Sequence, residues 1–250
     1  MRRGAALALL APVLAGCWVF GIEQISNPEN PFDSIRVVAV APVFDMTIDR
    51  DLVETDEGYS PVALGELLAS ELVQFEGFEV IRAQVVAEAL SHDMGWSPND
   101  PKGPEAARAA MASLGADALL AAAITEFDPY GNPRVAVAVE LFAAPGIARE
   151  GIDIGRLLQA GKPFPLDQAR RHGLLVAMEK MYDSNDRSVR QALGAHARYP
   201  HDPSERALDP EEAYSWDMEN YFRFVFNQIL REVVDSGKAL QEAWRHGVEE

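Results

Sequence analysis

Residues 35–43 read IRVVAVAPV, and the prediction of the fold starts from this stretch. Its apolar side chains fall on both faces of an extended chain, at Ile35, Val37, Val38, Val40 and Val43. This pattern is typical of a central strand in a sheet that is covered on both sides. We therefore expect a buried strand over residues 35–43.

Helical and extended patterns alternate after this strand. Ser60-Pro61 predicts a helix start, because serine can cap a helix and proline fits its first position. The elements expected next are that helix, ended by Gly77, strand 78–81, helices 83–91 and 104–114, and strands 118–125 and 134–142. The resulting order, β-α-β-α-α-β-β, predicts an α/β (α+β) fold with a layered sheet.

The last third of the chain is expected to be mainly helical. Residues 174–182 fit either a helix or a strand, and we favour a strand, whereas 186–197 has a helical pattern. Asp209-Pro210-Glu211-Glu212 predicts the opening of a further helix, with acidic residues at its positive end. Apolar residues at spacings of three and four extend this helix to about Val234, and 238–246 is expected to be a charged tail.

A short leader precedes these elements. Arg2 and Arg3 form a positive segment, and the apolar stretch 5–14 is shorter than the ~20 residues of a spanning helix. It ends in Leu-Ala-Gly-Cys17, which resembles the lipobox of bacterial lipoproteins, where the cysteine is acylated. The alternative is an ordinary secretory signal that precedes a chance cysteine.

Cys17 is the only cysteine in the chain, so it can form no internal disulfide. Lipidation by several acyl chains, palmitate among them, is the role that the resemblance implies, since stable anchoring needs more than one chain. Trp18 follows the cysteine, which by the same resemblance favours the periplasmic face of the outer membrane.

These features divide the chain into four expected parts. They are a lipoprotein signal peptide (1–16), a lipidated tether (17–33), an α/β domain (34–185) and a helical C-terminal extension that packs on it (186–250).

The net charge limits the classes of partner that we expect. The formal net charge is −17, and loss of Arg2 and Arg3 with the leader leaves −17 − 2 = −19. A basic stripe that could neutralise phosphates is missing, so nucleic acid is not expected as a partner.

Four sequence pieces resemble a known family in their order and spacing. They are VVAVAP (37–42), GELLASEL (65–72), GFEVI (77–81) and LGADALL (114–120). The order is similar to that of envelope lipoproteins that include the curli secretion component CsgG, the penicillin-binding-protein activator LpoB and the N-terminal domain of TolB. The resemblance implies a shared α/β domain and no particular site.

The chain also departs from that family. Residues 144–172 are too rich in glycine, proline and charge to supply the alternating hairpin strands of a membrane pore. The helical end from residue 186 onward has no counterpart in the resemblance.

Two groups of polar residues are candidate sites. Asp183, Asn185 and Asp186, with His196 further on, could ligate a divalent metal, but capping of the next helix by Asp183 or Ser184 is the favoured interpretation. The acidic loop 45–57 lacks the ligand spacing of a calcium loop, so a solvated surface is expected there. Neither a metal nor a cofactor is predicted.

Tyr221, Phe222, Phe224 and Phe226 form the predicted partner-binding cluster, with core packing as the alternative. The function expected from these features is that of a lipid-anchored, non-enzymatic protein that contacts an envelope protein in envelope assembly or cell-wall maintenance. Two alternatives are a metal-dependent hydrolase with a site near Asp183 and Asp186, and a periplasmic small-ligand or glycan binder that uses loops 45–59 and 92–103.

Overall fold

The computed structural model describes residues 27–47, 59–90, 103–144, 147, 173–197 and 217–247. The strands in these ranges are β1 (Val37–Val40), β2 (Phe44–Asp45), β3 (Glu79–Ile81), β4 (Ala118–Asp128), β5 (Arg134–Ala143) and β6 (Leu174–Asp183). The helices are α1 (Pro61–Leu72), α2 (Ala83–Leu90), α3 (Gly103–Leu114), α4 (Arg187–Ala197) and α5 (Met218–Gly247). This element order confirms the predicted α/β class, and the strand β6 confirms the favoured interpretation of residues 174–182.

The strands form one mixed sheet in the order β3-β1-β4-β5-β6. β1 pairs in parallel with β3 and β4, while β4–β5 and β5–β6 are antiparallel. β1, β3 and β4 therefore begin at the same end of the sheet, which we call the base. The turn between β4 and β5 lies at the opposite end, which we call the turn end.

Pro42 interrupts the first strand. Ala41 N still donates to Leu120 O on β4 over 2.9 Å, but proline has no N–H with which to continue the ladder. Val43 N turns instead to Pro61 O, 2.9 Å away at the start of α1. The chain then returns to β4 as β2, with Phe44 opposite Ala123. Of the expected strand 35–43, only Val37–Val40 is regular strand, and β2 follows it along the same side of β4.

The sheet is covered on both faces. Val38, Val40 and their neighbours on one face belong to the larger core with α1 and α5, and Ala39 and Ala41 face a smaller core with α2 and α3. This is the packing that a strand apolar on both faces predicts.

Local chemistry explains where α1 begins and how closely it packs. Ser60 caps the helix, with its Oγ accepting from Ala63 N over 3.1 Å, which confirms the predicted start. Gly65 lies so near the first residue of α2 that a Cβ added to it would stand 2.6 Å from Ala83 Cβ. The glycine is therefore required by close packing of the two helices.

The N-terminal segment differs from the expected tether. Residues 27–36, which we call the strap, pack on the domain, and Phe32 and Ile35 are buried in the larger core. Residues 27–33 are thus part of the folded domain, whereas the other expected boundaries remain predictions.

The last helix also differs from the prediction. Its described part begins at Met218, where Asp217 Oδ1 accepts from Glu219 N over 2.9 Å, while the expected opening at Asp209 lies outside the described residues. The helix continues to Gly247, so the expected charged tail 238–246 is helical. The apolar face of the helix continues past the expected end at Val234, since Leu240 is also buried. Among the described residues, no helix is long and apolar enough to cross a membrane.

Candidate functional site

The aromatic cluster of α5 lies in the core. Tyr221, Phe222, Phe224 and Phe226 are each 0% exposed. Phe222 stacks on Phe127 of β4 with ring centroids 5.7 Å apart, and the ring of Phe224 meets Tyr182 of β6 edge-on at 6.2 Å. The prediction that these four residues form a partner-binding surface is therefore wrong. Core packing, the alternative, is what the structure shows.

The physical reason is that this part of α5 is apolar around most of its circumference. Residues 221, 222, 224, 225 and 226 are all fully buried, so the helix is enclosed on several sides. A helix packs so wide an apolar face into the protein interior. The sequence shows the aromatic cluster but not the layers that cover it.

The carboxylates between β6 and α4 organise a turn. Asp183 Oδ1 accepts from Asn185 N over 2.8 Å, and Asp186 Oδ1 accepts from Ser188 N and Ser188 Oγ, both over 2.6 Å. The hydrogen bonds from Ser188 lower the pKa of Asp186, since they favour the charged carboxylate. Asp186 therefore caps α4, in place of the expected Asp183 or Ser184.

His196 does not join these carboxylates. It lies in the last turn of α4, ten residues after Asp186, which corresponds to about 15 Å along a helix. Its ring meets Phe224 edge-on, with centroids 5.8 Å apart. In the described ranges no group of three or more histidine, cysteine, aspartate or glutamate side chains is placed to hold a metal ion.

A polar cluster that the sequence did not predict lies between α1 and α5. We call Glu71, Gln74, Arg223, Asn227 and Arg231 the polar seam. Glu71 is 0% exposed, and its Oε2 accepts from Gln74 Nε2 over 3.0 Å and from Asn227 Nδ2 over 3.2 Å. Arg223 Nη1 lies 3.8 Å from Glu71 Oε1.

Burial dominates the electrostatics of Glu71. Desolvation raises its pKa to about 7, although the hydrogen bond from Asn227 and the charge of Arg223 act in the opposite direction. Glu71 therefore changes its charge near neutral pH, in the middle of a helix–helix contact.

The strap reaches the polar seam through Asn27. Arg231 donates from Nε to Asn227 Oδ1 over 2.9 Å and from Nη2 to Asn27 Oδ1. Asn27 Nδ2 in turn donates to Gln74 O over 3.4 Å. The seam thus connects three parts of the chain that lie far apart in sequence: the strap, α1 and α5.

Two signals in the sequence could have identified this seam. Glu71 follows Leu64 by seven residues and Leu68 by three, so a charged residue stands on the apolar stripe of α1. Glu219, Arg223, Asn227 and Arg231 repeat every four residues on α5, which places them along one face. A polar side chain on an apolar face requires a partner inside the protein.

The turn end of the sheet presents an exposed aromatic residue. Tyr130 is 83% exposed in the turn between β4 and β5. Ser184 N donates to Pro133 O over 3.0 Å, and Asn132 Nδ2 donates to Asn185 Oδ1 over 2.8 Å. These two bonds join the turn that carries Tyr130 to the turn that precedes α4.

Several predicted positions lie outside the described residues. Cys17 and Trp18 are among them, as are 92–102 and most of the acidic loop. Of that loop, Asp45 is described, and its Oδ1 accepts from Thr47 N over 3.0 Å and from Thr47 Oγ1 over 2.6 Å.

No protein-family model and no curated protein sequence matches this chain. Among solved structures, it is similar to the hypothetical protein CT253 from Chlamydia trachomatis, with TM-score 0.42 and 17% identity over 82% of this chain and 99% of that one. It is also similar to lipoprotein GNA1162 from Neisseria meningitidis, with TM-score 0.34 and 16% identity over 60% of this chain and 83% of that one. It is similar as well to the C-terminal domain of LpoB from Salmonella enterica, with TM-score 0.34 and 16% identity over 60% of this chain and 86% of that one.

Proposed function

We propose that this protein is a lipid-anchored, non-enzymatic protein of the bacterial envelope, held on the periplasmic face of the outer membrane through Cys17. It acts by contact with a partner protein in envelope assembly or cell-wall maintenance. The leader Leu14-Ala15-Gly16-Cys17 supports the anchor, since acyl chains hold a protein at a membrane without a spanning helix.

Tyr130 is the observation that carries the contact role. Aromatic side chains dominate the energetics of protein–protein interfaces, and they lose little entropy when they are presented on a fixed backbone. Tyr130 is 83% exposed, and its turn is tied to the neighbouring turn by the Asn132–Asn185 hydrogen bond. It has the accessibility that the buried aromatics of α5 lack.

The arrangement of the carboxylates supports a non-enzymatic role over the hydrolase alternative. Asp183 and Asp186 bind backbone N–H groups of their own turn, and His196 stands at the far end of α4. A metal-activated hydrolytic site needs such groups to converge on one point.

The anchor is tested on the full-length chain expressed in a bacterium with outer and inner membranes. The mass of the N-terminal peptide should show acyl chains on Cys17, and the protein should fractionate with the outer membrane. The Cys17→Ala variant should lose both properties. A mature wild-type N-terminus without acyl chains would contradict the anchor.

The contact is tested in intact cells by a photoreactive phenylalanine at position 130. The matched control carries the same group at Val73, which is 59% exposed at the C-terminal end of α1. We expect a discrete protein adduct at position 130 that is weaker at position 73 and lost in the Cys17→Ala background. An acylated protein that forms no adduct at position 130 would overturn the contact role while leaving the anchor intact.

A further inference from the structure

The strap is fixed to the domain along most of its length. Asn30 N donates to Glu76 O over 2.9 Å, and Asn30 Nδ2 donates to Ile35 O over 2.6 Å and to Gly77 O over 3.2 Å. Phe32 N donates back to Asn30 Oδ1 over 2.9 Å. Asn30 thus bonds both the strap itself and the segment that follows α1.

Apolar packing holds the centre of the strap. Phe32 is 4% exposed, and it lies against α5 at Gly237. A Cβ added at Gly237 would clash with the Phe32 ring and would stand 2.7 Å from Pro31 Cγ. The absence of a side chain at this position lets the strap lie directly on the helix.

The start of the strap is held by the polar seam. Asn27 binds Arg231 and Gln74, so the chain is fixed to the folded domain from residue 27 onward. Only ten peptide steps separate Cys17 from Asn27, and ten extended residues span at most about 36 Å. The fixed strap therefore limits how far the domain can stand from a lipid on Cys17.

The strap and Tyr130 lie at opposite ends of the sheet. The strap leads into β1 at the base, where Asp117 Oδ2 accepts from Arg36 N over 2.9 Å just before β4 begins. Tyr130 lies two residues beyond the end of β4 at Asp128, and the 11 residues of this strand cover about 35 Å. The end of the sheet into which the strap leads and the exposed aromatic are thus separated by about the length of β4.

From these distances we infer that the strap biases the orientation of the domain, with the polar seam and the base towards the lipid surface and the Tyr130 turn away from it. This inference rests on the proposed lipid anchor. The net charge of −19 that remains after loss of Arg2 and Arg3 (−17 − 2) disfavours adsorption of the domain on anionic lipids, so the tether sets the preferred orientation. A partner of the Tyr130 turn is then a protein in the aqueous compartment and not one embedded in the same bilayer.

The orientation is measured on the lipidated protein in vesicles of neutral and anionic phospholipid. Cys17 is the only native cysteine and is blocked by acylation, so a cysteine introduced elsewhere carries a single fluorophore. Glu76→Cys labels the base, and Tyr130→Cys labels the turn end. With a quencher on the lipid headgroups, we expect several-fold stronger quenching at position 76 than at position 130. Equal quenching, or stronger quenching at position 130, would overturn the inference.

A second variant tests whether the short tether is the cause. A flexible insertion of about 20 Gly and Ser residues between positions 26 and 27 adds to the reach without touching the strap. We expect the insertion to abolish the difference between the two labels. A difference that persists would mean that the membrane binds the base directly, which contradicts orientation by the tether.

Docking of the strap is measured separately by hydrogen exchange on the same reconstituted protein. Amides of the strap such as Phe32 should exchange slowly, and Asn30→Ala should accelerate their exchange while that of β4 and β5 stays unchanged. Fast exchange in the wild-type strap would contradict the inference. The mass of the N-terminal peptide distinguishes this failure from failure of the anchor, because strap protection does not depend on acyl chains.

Discussion

Asn227 Nδ2 donates a hydrogen bond to Glu71 Oε2 over 3.2 Å and joins α5 to α1 inside the protein. Both side chains are almost fully buried, at 2% and 0% exposure. The donated bond compensates part of the hydration that the carboxylate loses on burial. The compensation is incomplete, because the pKa of Glu71 is still raised to about 7.

We expect this pKa to make stability depend on pH. Because the folded value lies above the ordinary value of 4.5, the stabilising contribution of Glu71 is complete below pH 4.5 and is lost as the pH rises through about 7. The Glu71→Gln variant lacks this titration. Its free energy of unfolding should therefore rise by about 2 kcal/mol relative to that of wild type when the pH is raised from 5 to 8.

Urea unfolding of both proteins at the two pH values measures this difference. Glu76→Gln, a change at an exposed glutamate on the same side of the fold, is the control and should show no such gain. A wild-type-to-variant difference that does not change with pH would show that Glu71 does not titrate in this range.

A pair of tyrosines offers a second test. Tyr221 Oη donates to Tyr182 O over 3.1 Å in the core, so Tyr221→Phe leaves a buried carbonyl with one bond fewer and should cost about 1 kcal/mol. The Tyr182 hydroxyl is buried and makes no hydrogen bond to the residues that the structure describes. Tyr182→Phe should therefore be neutral or stabilising.

Both variants remove one hydroxyl from a buried ring, so thermal or urea unfolding compares them directly. A larger loss of stability for Tyr182→Phe than for Tyr221→Phe would contradict this account of the two hydroxyls.

The packing of Gly65 gives a third prediction. Alanine has a helix propensity about 1 kcal/mol better than that of glycine, yet the new Cβ would meet Ala83 Cβ at 2.6 Å and Ala41 O at 3.0 Å. Neither atom is the end of a flexible side chain, so Gly65→Ala should destabilise the protein by about 1–3 kcal/mol.

The control for this prediction is Ala63→Gly, which changes propensity alone at an exposed position of the same helix. It should cost about 1 kcal/mol. If Gly65→Ala instead raised the unfolding midpoint, the close approach of α1 to α2 would be wrong.

The sequence predicts much of the sheet because its strands follow local patterns. Apolar residues on both faces of 35–43 indicate a covered strand, and Ser60-Pro61 indicates the start of α1. Contacts between distant segments are not visible in such patterns. Asp117 accepts from Val37 N, eighty residues earlier, over 2.8 Å, and only the folded sheet brings the two together.

The candidate sites were harder to predict than the fold for the same reason. An aromatic run such as 221–226 has the same composition whether it is covered or exposed, and its cover here comes from β4, β6 and the segment before α1. Asn27 and Arg231 are 204 residues apart, and their contact depends on the path of the strap. Tyr130 carries no periodic pattern at all, since it lies in a turn.

Substitutions of a buried ring and of an exposed ring distinguish aromatic residues that pack in the core from those that are free to contact a partner. Phe224 is 0% exposed and contacts Tyr182, Tyr221 and His196, so Phe224→Ala leaves a cavity and should cost about 3–5 kcal/mol. Tyr130 is 83% exposed, so Tyr130→Ala should change the free energy of unfolding by less than about 0.5 kcal/mol. Urea unfolding of both variants measures these effects, and the photo-cross-linked adduct at the turn end measures contact with the partner. A Phe224→Ala protein as stable as wild type would show that this ring is not in the core, and the partner-binding role of α5 would then have to be reconsidered.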